Sequence, residues 1–246
     1  MKLYKKIVLT SILLLPIIAQ ASGVGFYIPM AASSSSSMED ADSGYVRDLD
    51  YKSSVGLGFV YDSNVGMDEM YAYRLGLEYM KVGIDKVNSH TYTGDMEFTR
   101  LNMVHTFEFG LVTTKNVRFW VGPRINLAYQ GASEQEGTSS YDESNFEFGI
   151  APALGTNINL GSVVSLGFDV DYRFTGIFGT WISEDSSINY SKDGTNSGTA
   201  KGLTARLYVL FRFGETDSNS RLSSPNDTKS TPSYQNDSDS VIDDSL

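Results

Sequence analysis

The chain has 246 residues, with 19 basic and 30 acidic side chains and no cysteine. A net charge of −11 repels nucleic-acid phosphates, and the missing cysteine excludes a disulfide framework and a lipid-modified amino-terminal cysteine. Beyond the amino terminus no stretch approaches the ~18–20 unbroken apolar residues that a spanning helix needs.

Residues 1–21 form a unit of their own. Lys2, Lys5 and Lys6 precede the apolar run 7–18, which ends in Ala19-Gln20-Ala21. A basic start, a greasy middle and a small-x-small end predict a secretory signal cut before Ser22. Losing three lysines leaves 16 basic residues against 30 acidic ones in the mature chain.

Strict period-two alternation then recurs eight times, over 24–30, 55–61, 71–79, 101–111, 117–127, 146–158, 164–174 and 203–213. Each segment predicts a strand with one apolar face. In the last, Leu203, Ala205, Leu207, Val209, Phe211 and Phe213 share a side, and Leu210 alone breaks the pattern on the other. The links alternate as well. Those at 62–70, 113–116 and 161–162 are the shorter set, whereas 31–53, 82–95, 130–144 and 175–201 are long and polar. Short turns at one end and four long loops at the other predict an all-β fold: an eight-stranded antiparallel up-and-down transmembrane β-barrel over 22–214, its long loops extracellular. The apolar faces carry Tyr61, Tyr71, Phe109, Phe119 and Phe213 near the short turns, and Tyr79, Tyr129, Phe146 and Phe174 near the loops. Two such rings of aromatics fit the two headgroup levels of a bilayer. The acidic stretch 215–246, rich in serine, is expected to be a disordered periplasmic tail.

The opposite faces point into the bore. They carry Arg74, Glu78, Arg100, Glu108, Arg118, Arg124, Glu147, Asp169, Asp171, Arg173, Arg206 and Arg212. Seven arginines against five carboxylates predict an ion-pair network, read either as a structural plug or as a gated ion path. Pro123 and Pro152 fall in adjacent strands five and six, where a missing N–H removes a possible ladder bond. Trp120, Gly122, Gly149, Ala151, Ala153 and Gly155 lie nearby. Together they suggest a lateral seam beside a small-residue cavity, with bulges as the alternative.

Catalytic groups are scarce. His90 falls in a loop, and His105 on the apolar face of strand four between Met103 and Phe107, with no serine beside it; a bulge would explain that placement. No metal, cofactor or catalytic residue is expected.

Residues 23–214 resemble the small eight-stranded outer-membrane barrel superfamily, the OmpA/OmpX/OmpW-like proteins. The resemblance rests on strand count, architecture and the closing strand, whose Phe211 and Phe213 are similar to an assembly signal. It implies export to the outer membrane, contact with outer-membrane lipid and lipopolysaccharide, and recognition by the barrel-assembly machinery. The expected role is structural, or interaction with host or other cell-surface partners through the loops. The other role that the resemblance implies, through the OmpW-like members, is a narrow conduit or binder for small hydrophobic molecules.

Overall fold

In the computed structural model, residues 23–32, 34–63, 70–94 and 96–213 are described. The expected signal segment and the acidic tail lie outside these residues.

All described elements are strands: β1 (Gly23–Ala31), β2 (Ser34–Asp40), β3 (Val46–Tyr51), β4 (Ser54–Asp62), β5 (Tyr71–Val87), β6 (His90–Thr91), β7 (Glu97–Thr113), β8 (Val117–Glu136), β9 (Ser139–Leu160), β10 (Val164–Asp185) and β11 (Tyr190–Arg212). Antiparallel pairs run β1–β4–β5–β7–β8–β9–β10–β11, and β11 pairs back onto β1. The ring therefore has eight positions, one for each alternating segment. Higher up, β2 and β3 continue the first two positions and bridge β11 to β5.

Both joins change phase. Tyr27 and Pro29 point inward at odd numbers, but Ser36 and Met38 do so at even ones; Leu49 and Tyr51 give way to Gly58 and Val60 in the same manner. The pairing with β11 shifts by one residue as well, from Ala31 opposite Thr204 to Ser35 opposite Lys201. A bulge in each strand creases the first hairpin at mid-height.

The expected long loops are mostly strand. Ladder β8–β9 runs unbroken from Val117 opposite Ile158 to Glu136 opposite Ser139, and β10–β11 from Val164 opposite Phe211 to Asp185 opposite Tyr190. Tight turns close these hairpins, with Gly137 at φ +60 in one and Asn189 at φ +50 in the other. Alternation could not show this crown, because its outer face is mostly polar and charged, with only scattered apolar side chains such as Phe178 and Ile182.

Polarity inverts along the wall. On the lower part of β5, Leu75, Leu77 and Tyr79 face out while Arg74 and Glu78 face in. Above Tyr79 the apolar Met80, Val82 and Ile84 turn inward, and Lys81 and Asp85 face out. With Met38, Leu49, Tyr51, Met96, Phe98 and Ile177 they build an apolar core inside the upper barrel. The charged lumen expected from the sequence thus fills the lower half, and this apolar layer lies above it. Below the boundary the outside is hydrocarbon; above it the outside is water, and burying apolar surface then favours the inside. The predicted aromatics of both girdles, such as Tyr71 and Phe119 below and Tyr129 and Phe174 above, are exposed on the outer wall.

Two oddities of the sequence find their cause. Leu210 packs inward with Tyr27, Val60 and Tyr208 in a small apolar cluster toward the short-turn end. His105 does face outward, in regular register with Leu75 and Ile125, so no bulge is needed. The Tyr73 hydroxyl meets its Nδ1 at 2.7 Å, which satisfies a polar ring on an apolar wall.

Candidate functional site

All twelve side chains predicted to enter the bore do so, and all but the part-buried Arg100 are buried. Some of their bonds join neighbouring strands and others reach across the barrel. Arg124 on β8 donates from Nε to Thr106 Oγ1 (2.8 Å), from Nη1 to Asp171 Oδ2 (2.6 Å), and from Nη1 and Nη2 to the two oxygens of Asp169 on β10 (3.0 and 2.8 Å). Arg206 on β11 reaches Glu78 on β5 at 2.5 Å and also binds Asp171. Arg74 stacks over Tyr208 and Trp120, 4.6 and 5.4 Å from their centroids, and meets Glu108 at 3.2 Å. Arg118 completes this layer on Glu108 (2.6 Å), and Arg212 donates to the Gly161 carbonyl near the lower rim.

Asp62 belongs to this network and was missed. It is the next inward position after Gly58 and Val60, and it accepts from Arg74 Nε (2.8 Å) and Nη2 (2.6 Å). Extending the second alternation by one residue finds it. The charges also divide by height. Four guanidinium groups (Arg74, Arg118, Arg124, Arg206) meet five carboxylates (Asp62, Glu78, Glu108, Asp169, Asp171), while above them Arg100 pairs with Glu147, and Arg173 has its nearest carboxylate oxygen at 3.9 Å.

The suggested seam needs correction. Pro123 lies directly opposite Pro152, and the β8–β9 ladder continues through them. Opposed residues of an antiparallel pair alternately exchange both bonds or none, so two prolines fit a non-bonded pair at no loss. Their missing N–H groups point to the outer neighbours instead. Ladder β7–β8 skips from Thr106–Arg124 to Phe109–Val121, and β9–β10 from Asp171–Ala153 to Phe174–Ile150. Pro29 acts likewise on β1–β4, where pairing skips from Tyr27–Gly58 to Met30–Val55. The small residues enclose no cavity either. Trp120 lies over Gly155, where a Cβ would stand 2.6 Å from its ring; Arg173 covers Gly149; and a Cβ on Gly122 would strike the Phe107 carbonyl. Ala151 and Ala153 are buried in the same packing.

A second polar cluster, unforeseen from sequence, closes the outer mouth. Buried Glu143 accepts from Asn145 Nδ2 (2.9 Å) and Asn196 Nδ2 (3.0 Å) at Oε1, and from Arg47 Nη2 (2.6 Å) and Tyr141 Oη (3.0 Å) at Oε2. Burial, and then the Glu143 charge, pushes the Tyr141 phenol up to about 12. Burial works against the Arg47 cation, but Glu143 and Tyr141 outweigh it and hold the group above its ordinary range. Trp181 lies nearly parallel to Tyr141, 6.3 Å between centroids, and donates to Asp40 (2.9 Å). Backbone N–H bonding from Ser43 holds the Asp40 carboxyl below its usual value.

A closed antiparallel ring, apolar outside between two aromatic girdles and charged within, defines a small eight-stranded outer-membrane β-barrel. By sequence, no protein-family model and no curated protein matches the chain. By fold, the chain is similar to the outer membrane protein OprG from Pseudomonas aeruginosa, with a TM-score of 0.57 and 12% identity over 79% of this chain and 96% of that one. A major outer membrane protein from Thermus thermophilus aligns at a TM-score of 0.48 and 12% identity, over 79% of this chain and 100% of that one. Ail, the attachment invasion locus protein of Yersinia pestis, aligns at 0.41 and 12% identity, over 78% of this chain and 99% of that one. The protein thus has the fold of small outer-membrane barrels.

Proposed function

We propose that this barrel is closed and non-catalytic, and that it acts through its crown as a structural and surface-binding protein. The observation that carries this reading is the bar of guanidinium groups across the bore, where Arg74, Arg124 and Arg206 link β5, β8, β10 and β11 in a fully buried network. Moving one partner aside leaves an uncompensated buried charge, which costs about 3–5 kcal/mol and resists opening. The part left to meet other molecules is the crown of β2, β3 and the upper β8–β11. Residues 1–21 act as the cleaved export signal, so the mature protein begins at Ser22, and the closing strand with Phe211 and Phe213 engages the assembly machinery.

Planar-bilayer recording tests the closure. The purified barrel is expected to give no conductance steps, and stable steps would overturn the reading. Shortening the two crown hairpins beyond Gly131 and Thr180 should abolish binding to host or neighbouring cells while leaving a heat-modifiable barrel; unchanged binding would remove the crown from the account. A second reading, a binder of small hydrophobic molecules, is favoured by the apolar upper lumen, where the flexible Met38, Met80 and Met96 meet Phe98. Saturable uptake of an apolar fluorescent probe, lost in Met80→Glu, would support it.

A further inference from the structure

A groove of about 840 Å³ runs across the outer wall where the polarity inverts. Pairing register lays it out in two parallel rows over five strands. The first runs Ile150, Phe174, Lys201, Ser35, Asp50 from β9 to β3; each neighbour is paired to the next, and each side chain faces out. The second runs Phe148, Gly176, Thr199, Ser37, Asp48 in the same order. Gly176 sits mid-groove with only ordinary van der Waals neighbours around its would-be Cβ, which keeps the floor low. Along each row the surface passes from apolar, to a cation or hydroxyl, to a carboxylate.

We propose that this groove holds one outer-leaflet phosphoglycolipid, a lipid-A-type molecule. Its acyl chain lies on Phe148, Ile150 and Phe174, its phosphate meets Lys201 and the hydroxyls of Ser35, Ser37 and Thr199, and its sugar hydroxyls donate to Asp48 and Asp50. Three observations carry this assignment. The apolar end belongs to the exposed hydrocarbon-facing wall, so in a membrane a lipid must cover it. Lys201, Asp48 and Asp50 form no ion pair among the described residues, whereas Lys81 and the arginines of the bore do. Lastly, the carboxylate strand lies two strand spacings from the lysine strand, about 10 Å. A phosphate alone would satisfy the cation and be repelled by the carboxylates. A phosphate followed by a sugar ring, rich in hydroxyl donors, spans the gap and satisfies both.

Native mass spectrometry of the detergent-extracted full chain tests the proposal, with three probes: bisphosphorylated lipid A, its dephosphorylated form, and phosphatidylethanolamine. Wild type should retain one bisphosphorylated lipid A, about tenfold better than the dephosphorylated form, as expected for one charge-assisted phosphate contact, and better still than the phospholipid. Lys201→Gln should erase the difference between the two glycolipids. Asp48→Asn with Asp50→Asn should weaken both glycolipids alike, and Lys192→Gln, in the crown on β11, should change nothing. Heat-modifiable mobility confirms that each variant is folded. Phospholipid held as tightly as lipid A, or Lys201→Gln without effect, would mean ordinary annular lipid and overturn the site.

Discussion

Replacing Arg124 with methionine keeps the aliphatic stem and removes the guanidinium at the centre of the plug. Four hydrogen bonds disappear, to Thr106, to both oxygens of Asp169 and to Asp171, at 2.6 to 3.0 Å. The carboxylates left behind are not bare. Asp169 keeps the Tyr208 hydroxyl at 2.5 Å and Arg74 and Arg206 at 3.5 Å, and Asp171 keeps Arg206. Breaking a buried pair costs about 3–5 kcal/mol, and these remaining partners place the loss near the lower end, about 3 kcal/mol. Urea unfolding in lipid vesicles, followed by the fluorescence of Trp120 and Trp181, measures it. Asp171→Asn on top of Arg124→Met should cost less than the two changes separately, by about 1 kcal/mol, because the second removes a charge that the first has orphaned. The exposed Lys81–Glu97 pair, at 2.7 Å, is the internal control, and Lys81→Met should unfold with wild type. Should Arg124→Met unfold at the same urea as Lys81→Met, the network is hydrated and contributes nothing to closure.

Further measurements address other parts of the wall. Leu207→Arg should lose about 2–4 kcal/mol and fold poorly, whereas Ser197→Arg, on the same face of β11 but in the crown, should fold normally; equal yields of heat-modifiable barrel would displace the polarity boundary. Amide exchange should be as slow across β8–β9 as across β10–β11, and fast exchange confined to the strands of Pro123 and Pro152 would contradict the continuous register. In a Trp120→Phe background, Trp181 emission should hold through pH 10 and fall with a midpoint near 12 as the stacked Tyr141 ionises. Because the folded phenol is held above its free value of about 10, its contribution to stability is complete below that pH and is lost as pH rises through about 12. A midpoint near 10 that Glu143→Gln leaves unchanged would remove Glu143 from the cause.

Period-two patterning identified most lower wall positions and their facing, Asp62 excepted, because hydrocarbon on one side and a charged bore on the other write opposite chemistry onto alternate residues. The crown has water outside, and its mostly polar outer face gives little contrast to detect. One signal was available: the apolar phase steps from Leu75, Leu77 and Tyr79 to Met80, Val82 and Ile84, and that step marks the strand's exit from the bilayer. The proline seam failed for a different reason. Residue order tells which strands are adjacent but not toward which neighbour a given N–H points, and that parity decides whether Pro123 and Pro152 weaken their own ladder or the flanking ones. Glu143 gathers partners from β3, β9 and β11, a convergence that becomes visible only once three distant segments are paired.

The inverted polarity of the wall also fixes the protein's draught. Sinking by one pair of residues would drag Lys81 and Lys201 into hydrocarbon, and rising by one would wet Tyr79 and Leu203, so every strand resists vertical travel in both directions. A membrane of another thickness cannot be met by bobbing or by tilting a closed cylinder; the lipid itself must stretch or thin around the rim. The crown's height is then set by the chain and not by the bilayer. From Lys201 to the tip at Tyr190 it stands clear by roughly 30 Å at ordinary strand rise and tilt, a fixed reach whatever lipid surrounds it.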